Sequence, residues 1–107
     1  MAITQTQTNG NGVVRKTTGA YLDSAGTPAA ATITLGFNPT YFEWLNATDR
    51  IGYEWYDGMA AGTTLKSVAA GTRTLDTSDV AISVSGGVVT IGASAVLQNK
   101  QYYWRAY

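Results

Sequence analysis

Residues 80–92, VAISVSGGVVTIG, leave their backbone little choice. Gly86-Gly87 can supply the positive φ angles that a two-residue hairpin turn requires. Folding about that turn sets Ser85 opposite Val88, Val84 opposite Val89, Ser83 opposite Thr90 and Ile82 opposite Ile91. The apolar pairs then share one face and the small polar pair takes the other, a match that a slip of one residue would destroy. A sheet with one apolar face needs a second layer to cover it.

The rest of the chain has the same grain. From Val13 onward short alternating runs are punctuated by turn residues, and no helical period survives over ten residues. VVRKTTG (13–19) reads as a first strand and AYLDSAGTPAA (20–30) as a turn region broken by Asp23, Gly26 and Pro28. ATITLGF (31–37) is a second strand. TYFEWLNA sets Phe42 and Trp44 on one face against Tyr41, Glu43 and Leu45 on the other. IGYEWYD sets Ile51, Tyr53 and Trp55 against Glu54 and Tyr56. TLKSVAAG and TRTLD follow, then the hairpin. ASAVLQNK is compatible with a single helical turn, and QYYWRAY closes the chain as a strand. Seven to nine closely spaced strands imply an all-β, compact antiparallel β-sandwich or small β-barrel, one domain over residues 13–107.

Residues 1–12, MAITQTQTNGNG, stand apart. A polar, Gly-containing start offers little apolar surface to offset its ordering entropy. It reads as a flexible N-terminal arm, either frayed or ordered on a neighbouring subunit.

Composition closes off much chemistry. The chain has no Cys and no His, which removes disulfides, the usual zinc sites, thiol nucleophiles and His-based acid–base mechanisms. Lys+Arg and Asp+Glu balance at seven each, so no net field draws in nucleic acid or an anionic membrane. Charged residues are 13%, below the ~25% typical of soluble domains, which suits a protein that lies against neighbours. No apolar run has the length of a signal peptide or membrane span, so synthesis in the cytoplasm without export or anchoring is expected.

Candidate chemistry is sparse. Glu43 and Glu54 are the best pair for glycosidase work, which needs two carboxylates across a scissile bond, if their strands are neighbours. Other motifs read as turns. Asp76 to Asp79 lacks the oxygen run of a calcium loop, and Asn46-Ala47-Thr48 matches a glycosylation sequon without a secretion signal to make use of it. Neither a cofactor nor a metal is expected. The aromatics carry more. Tyr102 and Trp104 share one face of the last strand, and Tyr103, Arg105 and Tyr107 the other. One face must fill the core; Tyr and Arg left outside are types enriched in interface hot spots. Tyr56, Tyr103, Arg105 and Tyr107 are therefore candidate partner contacts, against the plainer reading that every ring serves the domain's own core.

The segments LGFNPTYFEWLNATDRIGYEWYDGMAAGTTLKSVAAGTRT and GVVTIGASAVLQNKQYYWRAY resemble small virion-associated proteins of tailed bacteriophages. The likeness lies in a glycine–aromatic–x–proline strand opening, an N-x-T turn, a YEW-x-x-GM strand, a GTRT loop and a closing VLQNK…YYW. It covers about residues 35 to 107 and is similar to head decoration, or cement, proteins. The resemblance implies a non-enzymatic β-rich domain on the outer capsid surface, bound to the major capsid protein as a homo-oligomer, with a trimer favoured. It makes the N-terminal segment the candidate arm, with Gln5, Gln7 and Asn9 as candidate contacts. The alternative is a carbohydrate- or receptor-binding module of a tail fibre or head appendage, using the Tyr and Trp set near Glu54, Asp57 and Asn46.

Overall fold

The computed structural model describes residues 4–6, 17–22 and 29–107. Ten strands run through them: β1 (Thr4–Thr6), β2 (Thr17–Leu22), β3 (Ala31–Thr34), β4 (Tyr41–Asn46), β5 (Ile51–Tyr56), β6 (Thr64–Ser67), β7 (Arg73–Asp76), β8 (Ile82–Ser85), β9 (Val88–Ile91) and β10 (Gln101–Ala106). A single 3-10 turn, Ala93–Ala95, interrupts the strands. They form a four-stranded sheet, β1-β3-β9-β8, and a six-stranded sheet, β2-β10-β4-β5-β6-β7. Every pairing is antiparallel except β1 with β3. Both sheets are open, with β1 and β8 at the edges of one and β2 and β7 at the edges of the other. The architecture is therefore a β-sandwich, and the barrel alternative is set aside.

The hairpin adopts the expected register, Ile82↔Ile91 through Ser85↔Val88, about Gly86 and Gly87 at φ 58° and 76°. Alternation then decides what each sheet contributes to the core. Ile33 of β3, Ile82 of β8, and Val89 and Ile91 of β9 point inward from the smaller sheet. Phe42 and Trp44 of β4, Tyr53 of β5, and Tyr102 and Trp104 of β10 meet them from the larger one. Trp44 stacks on Tyr102 at 4.8 Å between centroids and Phe42 on Trp104 at 5.9 Å, offset arrangements that rings favour. The polar tips of Trp44 and Tyr102 are satisfied. Trp44 Nε1 donates to the Ala95 carbonyl at 2.9 Å, and the Tyr102 hydroxyl accepts from the Leu97 N–H at 2.7 Å. The two bonds seat the expected helical turn over the end of the core.

Three elements differ from the sequence reading. Ala20, Tyr21 and Leu22, placed in a turn, belong to β2, where they face Tyr103, Tyr102 and Gln101 of β10. The strand expected at residues 13–19 is seen only from Thr17; residues 13–16 lie outside the described ones. Thr4–Thr6, within the arm, form a strand on β3. The Asn46-Ala47-Thr48 sequon is a turn: the Asn46 side chain accepts the Asp49 N–H and donates to its carboxylate, each at 3.0 Å, while Thr48 Oγ1 accepts the Gln101 N–H at 2.8 Å.

Candidate partner-binding face

The outer face of the six-stranded sheet collects what the core leaves out. Residues that share a face in strand register run across it as Thr18, Arg105, Glu43, Glu54, Leu65 and Leu75. A parallel row carries Ala20, Tyr103, Leu45 and Gly52. Tyr41 opposite Tyr56 begins a third, completed by Tyr107 beside Tyr41. Leu75, Tyr103 and Tyr56 are 69%, 50% and 44% exposed, so large apolar surface and charge are interleaved on this face.

The charges are paired. Arg105 Nε lies 2.9 Å from Glu43 Oε1. Glu54 accepts the Tyr41 hydroxyl at 2.9 Å and the Tyr56 hydroxyl at 3.4 Å on one oxygen, and pairs through the other with Arg73. Burial, then the bond to Glu54, pushes the Tyr41 phenol well above its ordinary range, so it keeps its proton and donates a hydrogen bond to Glu54. Glu43 raises Arg105 further, and the guanidinium also lies 5.9 Å from the Tyr107 ring. Tyr41 stacks on Tyr107 at 5.6 Å and meets Tyr56 edge-on at 5.1 Å. Beside them a trough of about 460 Å³ runs between β2, β10 and β4, with Ala20, Leu45 and Tyr103 in its walls and Glu43 and Arg105 along it.

Glu43 and Glu54 do face each other in register, as a glycosidase pair would need. Each carboxylate, however, is engaged by its own arginine, and the two stand side by side on an open sheet. Both carboxylates are thus already neutralised by a cation on the outer face of the sheet.

Tyr56, Tyr103 and Arg105 are outward as expected, and Tyr107 is half-buried against Tyr41. Gln5 lies in β1 of the other sheet, opposite Ile33, and so is not brought to this face. Gln7 and Asn9 lie outside the described residues. Of the residues considered for sugar binding, Tyr56 and Glu54 stay together on the outer face, whereas Trp55 packs against the core and Asn46 is buried in its turn. Tyr41 and Leu45 were legible as outward-facing from the alternation of β4 alone. Arg73 and Leu75 join the face through the β6–β7 pairing, which no local pattern announces.

A second polar cluster sits at the end of the sandwich, beside a cleft of about 240 Å³. Asp79 accepts the Tyr53 hydroxyl at 2.7 Å and Lys66 Nζ at 2.8 Å. Lys66, then Tyr53, hold the carboxyl below its usual range; Asp79 raises Lys66, and burial followed by the Asp79 bond pushes Tyr53 up to about 12. The loop bearing Asp79 is pinned by Ser94 Oγ donating to the Asp79 carbonyl at 2.9 Å and carries Val80 at φ 45°, a conformation β-branched residues rarely adopt. All three side chains are spent on one another, so the cluster ties the loop to the sheet.

Among the described residues no group of three or more acidic, Cys or His side chains could hold a metal ion, and no helix is long and apolar enough to cross a membrane. Comparison with protein-family models, with curated proteins and with solved structures gives no match.

Proposed function

We propose that this chain is a structural virion protein of a tailed bacteriophage, a capsid decoration protein that lays the outer face of its six-stranded sheet across major capsid subunits. The sequence resemblance supplies the class. The observation that carries the reading is the outer face itself, where Tyr56, Tyr103, Leu45 and Leu75 are exposed between the anchored pairs Arg105–Glu43 and Arg73–Glu54. Exposed Tyr and apolar side chains supply contact area, while charges already held in place lose little freedom on docking.

Such a protein needs no catalytic group. It binds the assembled shell and not its separated parts, so it stabilises the assembly by mass action, and several linked copies multiply the effect. Its place is the outer capsid surface, and its copies act together as a homo-oligomer, with a trimer as the working expectation. The test is cosedimentation of the purified protein with phage heads that lack it. Wild type should pellet with the heads and raise the temperature at which they release DNA. Tyr103→Ala combined with Arg105→Gln should abolish both effects while the soluble protein keeps a cooperative melting transition. Undiminished head binding by that variant would remove this face from the interface, and no binding by wild type would remove the decoration reading.

A further inference from the structure

β1 is attached to the molecule in a distinctive way. It is three residues long and pairs in parallel with β3, Thr4↔Thr32, Gln5↔Ile33 and Thr6↔Thr34. The next strand, β2, begins at Thr17 on the edge of the opposite sheet, so residues 7–16 separate β1 from the strand that follows it. Three residues of parallel ladder hold a segment weakly, since few bonds repay its ordering. The surface they cover is firm by contrast. Ala31 and Ile33 of β3 are fully buried, and β3 is locked on its other side to β9. Without β1, β3 would present an open row of backbone donors and acceptors.

A buried, well-paired edge filled by a three-residue strand, ten residues before the next strand, accepts that strand equally well from another molecule. Eleven residue steps from Thr6 to Thr17 span at most about 36–40 Å, comparable with the 40 Å long axis of the molecule. The segment can therefore reach a neighbouring copy.

We propose that the β3 edge is a strand-acceptor site for the N-terminal segment of a second copy of this chain, so that exchange of Thr4–Thr6 links copies into a homo-oligomer. The occupant is a second copy because, among the described residues, Thr4–Thr6 is the segment whose fit to this edge is seen. The same ladder in trans repeats every pairing made in cis. Reciprocal exchange between two copies closes a two-fold dimer, and one-way exchange closes into a ring when the rotation allows. The inference gives a physical form to the homo-oligomer of the proposed function, and its test needs no capsid.

The chain has no Cys, so an engineered pair reports without background. Thr6 and Thr34 are direct partners, and adjacent strands lie about 4.7–4.9 Å apart, within the Cα separation of a disulfide. Thr6→Cys and Thr34→Cys chains carrying tags of different size are mixed, unfolded, refolded together and oxidised. A mixture of Thr6→Cys with Ser78→Cys, on an exposed loop, gives the collisional background. Exchange predicts a mixed disulfide dimer at least tenfold above that background, and a light-scattering mass of two or more chains that falls to one when residues 1–12 are deleted. A Thr6→Cys/Thr34→Cys double variant that closes only within its own chain, with a monomeric mass, would overturn the proposal. Absence of a disulfide in either setting would overturn it too, because β1 would then not occupy the β3 edge. Failure of head binding with exchange intact would reject the capsid reading alone.

Discussion

Gly19 sits opposite Trp104, and a Cβ on it would lie 2.5 Å from the indole. The small residue in β2 is the space into which the ring of β10 packs. Gly19→Ala should therefore cost about 1–3 kcal/mol, the range for an overpacked core, seen as a lower midpoint in urea denaturation. Thr64 is the converse case. It is fully buried with its hydroxyl unpartnered, so Thr64→Val keeps the shape and removes an unsatisfied polar atom. Stability should rise by about 1 kcal/mol in the same assay, and a loss would mean that the hydroxyl has a partner. The Asp79 cluster sets a pH dependence. A carboxyl held low contributes stability that is present above its unfolded pKa of about 3.9 and lost as pH falls through the folded value. Lys66 and Tyr53 are raised, so their contributions are intact below unfolded values of about 10.4 and 10 and are lost at higher pH, for Tyr53 through about 12. The melting temperature should be level from about pH 5 to 9 and fall on both sides. Asp79→Asn should flatten the acid limb, leaving the share due to Asp49, which Lys100 and Asn46 also hold low. An unchanged acid limb would deny the cluster its role.

At the scale of elements, the β8–β9 hairpin shows what a local pattern can specify. Two glycines and four matched pairs determined turn, register and face together, because all the information lies within ten residues. A Cβ on Gly86 meets nothing within 4 Å, whereas one on Gly87 would lie 3.1 Å from the Phe37 carbonyl. Gly86→Asn, a residue that tolerates positive φ, should change stability by less than about 0.5 kcal/mol. Gly87→Ala should cost about 1–2 kcal/mol from its backbone conformation, plus the contact with Phe37. Equal effects at the two positions would contradict this account. Faces were equally legible: Phe42 and Trp44 inward, Tyr103 and Arg105 outward, because alternation is a property of one strand. The end of β2 was not. Ala20, Tyr21 and Leu22 stand beside Asp23 and Gly26, whose turn chemistry outweighed them until β10 supplied a partner. Nor was β1, since Thr-Gln-Thr carries no apolar signal and its pairing is with a strand 28 positions along.

At the scale of the whole molecule, strand order was the illegible part. Alternation fixes which way a side chain points and is silent about which strand lies alongside. The consequence is plain in β10, the last strand in sequence, which is inserted between β2 and β4 in the larger sheet. It brings Tyr102, Trp104 and Ala106 to the core, and its outward side carries Tyr103 and Arg105. Core and candidate interface thus depend on one and the same strand. Deleting residues 101–107 detaches β2 from its sheet and removes the stacking partners of Trp44 and Phe42. The loss exceeds that of a single Trp or Phe truncation, itself about 3–5 kcal/mol, and so rivals the whole stability of a domain this size. The truncated chain should show no cooperative thermal transition by circular dichroism and should bind a hydrophobic dye. Deletion of residues 1–12, which takes away an edge strand of three residues, should preserve a sigmoidal transition. A cooperative transition at the wild-type midpoint in the C-terminal truncation would mean that β3 to β9 fold without their central neighbour.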